Sequence, residues 1–314
     1  MSAHRATAET EHERSVRVRV PVRVDFAGGW TDVHHYSARE GGAVVNAAIN
    51  HYVEGHAVSS GDRMHLEYGL AVPKGSGLGT SAALDVAWLA LTNALLGRSQ
   101  SPVQVAEGAY RLEKLLGLEG GKQDQYASAL GGFNHFVFGA EDEPALVEPL
   151  RLDAEIVRAL EDRLVLCYTG SQRHSGSLHE RVWGPFLDGD PRISASLEAI
   201  RDTAAATRDA LLGGDLDTVG ELMTANRESV RRMLPELVTP TMDRLFAQGE
   251  SAGAIGSKAC GAGGGGCLLF LCTPRSRQGV ERVLADSGAT VLPFRFEDTS
   301  YWGDRSAVGG ERKP

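Results

Sequence analysis

Apolar residues recur at every second position from Val16 through Val18, Val20, Val22 and Val24 to Phe26, while Arg17, Arg19, Arg23 and Asp25 take alternate positions. A period of two is that of an extended strand, so the segment is expected to bury a valine face and present a wet, charged one. It ends in Ala27-Gly28-Gly29, and strand-like runs follow over residues 43–49 and 52–59. From Ser81 the period changes: Ala82, Ala83, Val86, Leu89, Ala90, Ala94 and Leu95 form a helical stripe that Gly97 is placed to stop. Ser101-Pro102-Val103-Gln104 marks the next helix start, with serine as N-cap, proline in the first turn and glutamine three residues after the cap. Val105, Ala109, Leu112 and Leu116 form its apolar face, with Glu113 at the edge.

The second half reads as a strand over 163–168, helices over about 191–212, 216–234 and 240–251, and two strands, 254–260 and 267–272, joined by glycines. Helices mixed with antiparallel-type strands in both halves indicate an α+β fold. A chain of 314 residues can bury two cores, and the boundary is expected between about 140 and 162, where acidic residues and prolines gather. The expected division is a tail over 1–14, domains over 15–155 and 156–305, and a second tail over 306–314.

Composition narrows the function classes. A net charge of -9 without a basic patch argues against nucleic acid or an anionic membrane as partner. Cys167, Cys260, Cys267 and Cys272 form no CxxC pair and lie in apolar or glycine-rich stretches, which points to buried, reduced thiols. No run of 18 apolar residues occurs, and residues 1–14 lack the apolar core of a signal peptide, so a cytoplasmic monomer or homodimer is expected.

Three constellations carry chemistry. Lys74-Gly75-Ser76-Gly77-Leu78-Gly79-Thr80-Ser81 is a glycine-rich loop running into a helix N-terminus, where unpaired amides and the helix dipole favour a phosphate. Thr80 and Ser81 add hydroxyls for a phosphate oxygen or a magnesium ion, and no Walker A spacing is present. Gly120-Gly121-Lys122-Gln123-Asp124-Gln125-Tyr126 places a carboxylate at the start of a short helical run, suited to taking a hydroxyl proton or to balancing nearby cations, with Glu113 on the helix before it. Gly261-Ala262-Gly263-Gly264-Gly265-Gly266 joins two apolar strands, a density of glycine that suggests close approach of another group. Taken singly, the first could be a tight turn with an N-cap, Asp124 a helix cap, Glu113 a solvated residue, and the third loop merely flexible.

In this order and spacing the three elements, with Val20-Pro21-Val22-Arg23-Val24-Asp25-Phe26-Ala27-Gly28-Gly29-Trp30-Thr31-Asp32 before them, resemble the GHMP kinase superfamily over essentially the whole chain. The resemblance implies an N-terminal, ATP-binding lobe of the ribosomal-protein-S5-domain-2-like type and a C-terminal ferredoxin-like lobe, with the active site between them. It makes residues 74–81 the cradle for the ATP phosphates, Ser81 and Glu113 the Mg²⁺ side, Asp124 the catalytic aspartate and Arg23 its neighbour at the reacting hydroxyl.

Galactokinases carry Gly-Glu-His-Thr-Asp in the first motif; here Gly29 and Trp30 replace the glutamate and histidine, which argues against galactose, while Asp32 can still accept from two sugar hydroxyls. Gly121-Lys122-Gln123-Asp124-Gln125-Tyr126, residues 41–46 and Tyr168-Thr169-Gly170 with Arg173 look most like D-glycero-D-manno-heptose 7-phosphate kinases, which phosphorylate the anomeric hydroxyl. Trp30 is similar to fucokinases. The expected acceptor is a seven-carbon sugar 7-phosphate or a related cyclitol phosphate, with Gly29, Trp30, Asp32, Gly263 and Gly264 about the sugar. Arg173, His174, His34, His35, Lys122 and Lys258 are candidate cations for its far phosphate. Two alternatives stay open: a fucokinase-like enzyme acting on an unphosphorylated monosaccharide, and a catalytically silent sensor that binds ATP and sugar.

Overall fold

The valine face of β1 (Glu13–Ala27) is buried along its length, none of its valines nor Phe26 being more than 3% exposed. Burying each such side chain contributes roughly 1.5–3 kcal/mol. Arg17 and Arg19 are exposed as the period requires, but Arg23 and Asp25 are not: the second half of the strand is covered on both faces. The computed structural model describes residues 13–60, 63–73, 75–118, 120–171 and 176–308.

After β1 come α1 (His34–Glu40), β2 (Gly42–Ser60), β3 (Arg63–Leu70), α2 (Thr80–Leu95), α3 (Pro102–Leu115), α4 (Gln123–Leu130), β4 (Phe133–Phe138) and β5 (Leu146–Pro149). Next are α5 (Ala154–Arg163), β6 (Leu164–Tyr168), α6 (Gly176–Leu187), α7 (Pro191–Gly213) and α8 (Leu216–Met233). A 3₁₀ turn (Pro235–Leu237) leads to α9 (Pro240–Ser251), β7 (Ala254–Ala259), β8 (Cys267–Cys272), α10 (Arg277–Asp286), β9 (Thr290–Val291) and β10 (Trp302–Val308). The strands form two antiparallel sheets, one in the order β10-β1-β2-β4-β5 with β3 also on β2, the other β7-β8-β6-β9.

The two runs expected at 43–49 and 52–59 are one strand, β2, with an irregularity between them. Opposite it stands Pro21, which has no amide to give the ladder, and the partner register jumps from Tyr52 to Ile49. Asn50, left over by the jump, exchanges its backbone and side chain with the Arg295 main chain instead.

The expected division into domains is corrected at two points. A cut between 155 and 156 falls inside α5, and the chain end does not stay with the second sheet. Residues 295–297 bond to Ala48, Asn50 and Gly132, and β10 pairs with β1 from Arg19 back to Glu13, so the end of the chain closes the first sheet.

One apolar core runs under both sheets, from the β1 valines and the α2 stripe of Ala83, Val86, Ala87 and Leu91 to Leu164, Leu166 and Leu269. The α3 start forms the expected capping box, Ser101 Oγ accepting from the Gln104 amide and the Gln104 side chain accepting from Ser101. A smaller cluster packs Trp30, Val33 and Tyr36 against Trp183, Phe186 and Leu237, tying the turn after β1 to α6 and the 3₁₀ turn. All four cysteines are buried and free, and burial pushes the Cys167 and Cys260 thiols up to about 12.

Candidate active site

The helix that follows the first glycine loop begins without a side-chain cap. Gly79 occupies the N-cap of α2 at φ +76°, and among the described residues no side chain caps the first turn. Those donors and the positive end of the helix dipole are therefore available to an anion. The loop is held from behind: Ser76 carbonyl accepts from the Cys267 amide at 2.6 Å, and a β-carbon on Gly266 would stand 2.6 Å from the same oxygen. Close approach in the third glycine loop is thus made by backbone. The Leu237 carbonyl lies against Gly263 and accepts from the Gly264 amide at 2.7 Å.

Arg23, 2% exposed, is the pivot of the site. Its Nε donates to Asp124 Oδ1 at 2.8 Å, its second terminal nitrogen lies 2.6 Å from the same oxygen, and the other donates to the carbonyls of Gly77 and Cys260 at 2.6 and 2.7 Å. Burial works to lower its pKa, but Asp124 and Asp25 outweigh burial and raise it, so the guanidinium stays charged. Asp124 stands in the first turn of α4, where a carboxylate is favoured by the dipole. It reaches the start of α2 because Gly79 is small: a β-carbon there would lie 3.2 Å from Asp124 Cγ.

On one side of this pair stands Glu113, at the end of α3. Gln125 Nε2 donates to Glu113 Oε2 at 2.6 Å, and Asp85, one helical turn beyond Ser81 on α2, shares a hydrogen bond with Glu113. Burial, then the charges of Asp85 and Asp124, push the Glu113 carboxyl up to about 8. Glu113 and the Ser81 hydroxyl line the same cavity, and oxygen donors of this kind suit a hard divalent ion. Among the described residues no group of three or more His, Cys, Asp or Glu side chains is placed to hold a metal ion by itself.

On the other side stands Asp32, 5% exposed, whose oxygens accept from the Gln123 amide at 3.0 Å and the Gln123 side chain at 3.3 Å. Burial, opposed by the Gln123 amide, pushes it up to about 7. The wall beside it is Gly29 and Trp30. A β-carbon on Gly29 would collide with Asp25 Oδ2, itself 3.0 Å from the buried Lys258 ammonium. Trp30 is the one non-glycine residue at positive φ (83°) among those described, an uncommon conformation held here by its indole donating to the Ala262 carbonyl at 3.1 Å. Its ring packs 4.8 Å from that of His179.

These groups line one cavity of about 730 Å³: Arg23, Gly29, Trp30, Asp32, Ser81, Glu113 and Asp124 meet there. Gln123, Gln125, Gly261 and Ala262, from the second and third constellations, line it too, as do His179 and Glu180, which the sequence did not single out. The paired glutamines beside Asp124 were the signal for two of them; nothing in the pattern pointed to α6.

Several expected residues lie elsewhere. Lys122 does not face the cavity: its ammonium donates to Glu107 at 3.1 Å and to the Glu143 carbonyl at 2.8 Å, in a buried network with Tyr126. Lys258 is spent on Asp25, with the Asp25 and Ala259 carbonyls at 2.8 and 2.9 Å. His34 sits against Glu141 and His35 outside the cavity lining, and Gly263 and Gly264 are replaced there by Gly261 and Ala262. Of the loop 75–80, Gly77 and Leu78 turn their carbonyls to Arg23, and Ser76 and Thr80 hydroxyls face each other at 3.3 Å. Lys74, Arg173 and His174 lie outside the described residues.

Residues 43–132 match the family model of the GHMP kinases N-terminal domain and residues 207–290 that of the GHMP kinases C-terminal region, together more than half of the chain. The chain is 26% identical to a D-glycero-alpha-D-manno-heptose 7-phosphate kinase of Campylobacter jejuni, over 92% of this chain and 99% of that protein. It is 27% identical to a bifunctional fucokinase/GDP-fucose pyrophosphorylase of Arabidopsis thaliana, over 82% of this chain and 30% of that one. The crystal structure of a D-glycero-D-manno-heptose 1-phosphate kinase from Bacteriodes thetaiotaomicron superposes with a TM-score of 0.73 at 26% identity, covering 92% of this chain and 98% of the other. Motif order, cleft geometry and these matches agree: the chain belongs to the GHMP kinases, phosphotransferases with an alcohol group as acceptor.

Proposed function

We propose that the chain transfers the γ-phosphoryl group of ATP to the anomeric hydroxyl of a seven-carbon sugar 7-phosphate or a related cyclitol phosphate. The observation that carries the reading is the Arg23–Asp124 pair, standing between the uncapped start of α2 and the Asp32 carboxylate. The sugar oxygen attacks the γ-phosphorus as the bond from that phosphorus to the β,γ-bridging oxygen breaks, and ADP leaves with the electron pair. The hydroxyl proton passes to Asp124 and then to solvent. Arg23 holds the base in one orientation and keeps a positive charge beside the moving phosphoryl group. The first-turn amides of α2 hold the nucleotide phosphates, and Ser81 with Glu113 would hold Mg²⁺. When bound, Mg²⁺ neutralises charge on the β- and γ-phosphates. Asp32 accepts from neighbouring sugar hydroxyls, and Trp30 walls the sugar side.

The heptose part of the reading is supported by the Campylobacter jejuni relative and by the sequence around Gln123. One observation favours the second reading, an unphosphorylated monosaccharide: Lys122 and Lys258, two of the cations expected at a distal phosphate, are both engaged in buried pairs. Turnover on D-glycero-D-manno-heptose 7-phosphate, the free heptose, L-fucose and a cyclitol phosphate, with phosphorus NMR of each product, separates them. A new anomeric phosphate on the heptose 7-phosphate supports the first reading, and strict preference for a free sugar overturns it. Saturable binding without ADP release from any acceptor would instead identify a silent sensor.

A further inference from the structure

Three consecutive residues at the start of α4 each touch a different functional group. Gln123 holds Asp32 through its amide at 3.0 Å and its side chain at 3.3 Å, Asp124 pairs with Arg23 at 2.6 Å, and Gln125 donates to Glu113 at 2.6 Å. Successive helical side chains project about 100° apart, so one turn can address three directions at once. We propose that Gln123 and Gln125 are positioning residues, which orient the sugar-side and metal-side carboxylates relative to the base between them.

The chemistry of the amide supports this assignment. Both glutamines are buried, at 7% and 1% exposure, and each leaves its Oε1 without a hydrogen-bond partner among the described residues. A buried amide kept for its own satisfaction would use both ends. Here the used end is the donor, and its target in each case is a carboxylate that can only accept when ionised. Gln123 binds both oxygens of Asp32, which removes the freedom of that carboxyl to rotate. Gln125 engages one oxygen of Glu113, and Asp85 shares a further hydrogen bond with the same carboxyl. Because the two glutamines flank Asp124 on a single helical turn, the spacing of both carboxylates from the base is set by the backbone of α4 rather than by three separate elements.

The inference rests on the roles of Asp32 and Glu113 given above, and its test reads each side separately. Gln125→Met and Gln123→Met keep the length and remove the donor. Mn²⁺ affinity is measured by electron paramagnetic resonance in the presence of the β,γ-imido analogue of ATP, and KM is measured for heptose 7-phosphate. Gln125→Met is expected to weaken Mn²⁺ binding by about tenfold or more with sugar KM nearly unchanged; Gln123→Met is expected to do the reverse. If a methionine variant does not fold, as judged by circular dichroism, Gln→Leu at the same position removes the same donor, with the same expectation. Equal losses on both sides from either variant, or a lower kcat with neither constant moved, overturn the proposal. Glu113→Gln is the control. If it binds Mn²⁺ like the wild type, the metal role of Glu113 falls and the assignment of Gln125 with it; if it binds weakly while Gln125→Met binds normally, only the positioning role is lost.

Discussion

The carboxylate of Asp32 occupies the space into which a β-carbon on Gly121 would project. The glycine before Lys122 is therefore required by a side chain from the first motif, not by its own backbone angle. Gly121→Ala is expected to push Asp32 off the Gln123 amide and raise sugar KM by about tenfold or more, a cost of roughly 1.4 kcal/mol, with a much smaller change in ATP KM. Steady-state kinetics with each substrate varied in turn checks this; equal rises in both would point to general loosening of the cleft.

Asp124→Asn keeps the side-chain size next to Arg23 but removes the proton acceptor. Turnover should fall by about 10²–10⁴, the usual contribution of a general base. Binding of the imido analogue of ATP should change little if, as proposed, the α2 amides and not Asp124 hold the phosphates. Calorimetric titration beside a coupled ADP assay makes the comparison, and full activity in the variant removes Asp124 from its role.

How much of this was legible in the chain depended on the range of the interaction. The strand of Arg23, the helix after Ser81 and the capping box at Ser101 are written in local periodicity and cap chemistry, and all three stand where expected. Arg23, Ser81, Glu113, Asp124 and Asp32 do meet in one cavity. What sequence could not show is which cations are already spent. Lys122 stands two residues before Asp124, and its helix carries it the other way, to Glu107 fifteen positions back on α3. Lys258 meets Asp25 across 233 positions, a pairing invisible to any local pattern. Likewise α6 brings His179 and Glu180 to the cleft only through tertiary packing on Trp30.

The Asp25–Lys258 pair gives a stability prediction. Both side chains are almost fully buried, at 3% and 5% exposure, and Asp25 Oδ1 has no partner among the described residues. Lys258→Met would leave a buried carboxylate without its ion-pair partner, with an expected loss of about 3–5 kcal/mol. Adding Asp25→Asn should recover a good part of it, because the remaining charge is then gone as well. Urea denaturation of the single and double variants measures the coupling, and a single-variant loss under about 1 kcal/mol would show that the pair is solvated.

The raised carboxyls set opposite pH dependences for stability and for substrate binding. Asp32 is pushed up to about 7 chiefly by burial, from the ordinary 3.8, and Glu113 up to about 8 by burial and the neighbouring carboxylates. A group that binds its proton more tightly when folded stabilises the fold fully below its unfolded pKa, and that contribution is lost as pH rises through the folded value. The ligand-free protein should therefore lose stability between about pH 4 and 8, by at most roughly 1.4 kcal/mol for each unit separating the two pKa values. Substrate runs the other way: on the proposed reading Asp32 accepts from the sugar hydroxyls best as the carboxylate, so sugar KM should fall as pH rises through about 7. Thermal melts across this range, with Asp32→Asn for comparison, isolate the first effect: the asparagine variant should show a shallower decline from about pH 4 to 7. Parallel curves for the two proteins would mean that Asp32 already titrates like a solvated carboxyl, and the sugar KM should then be flat over the same range.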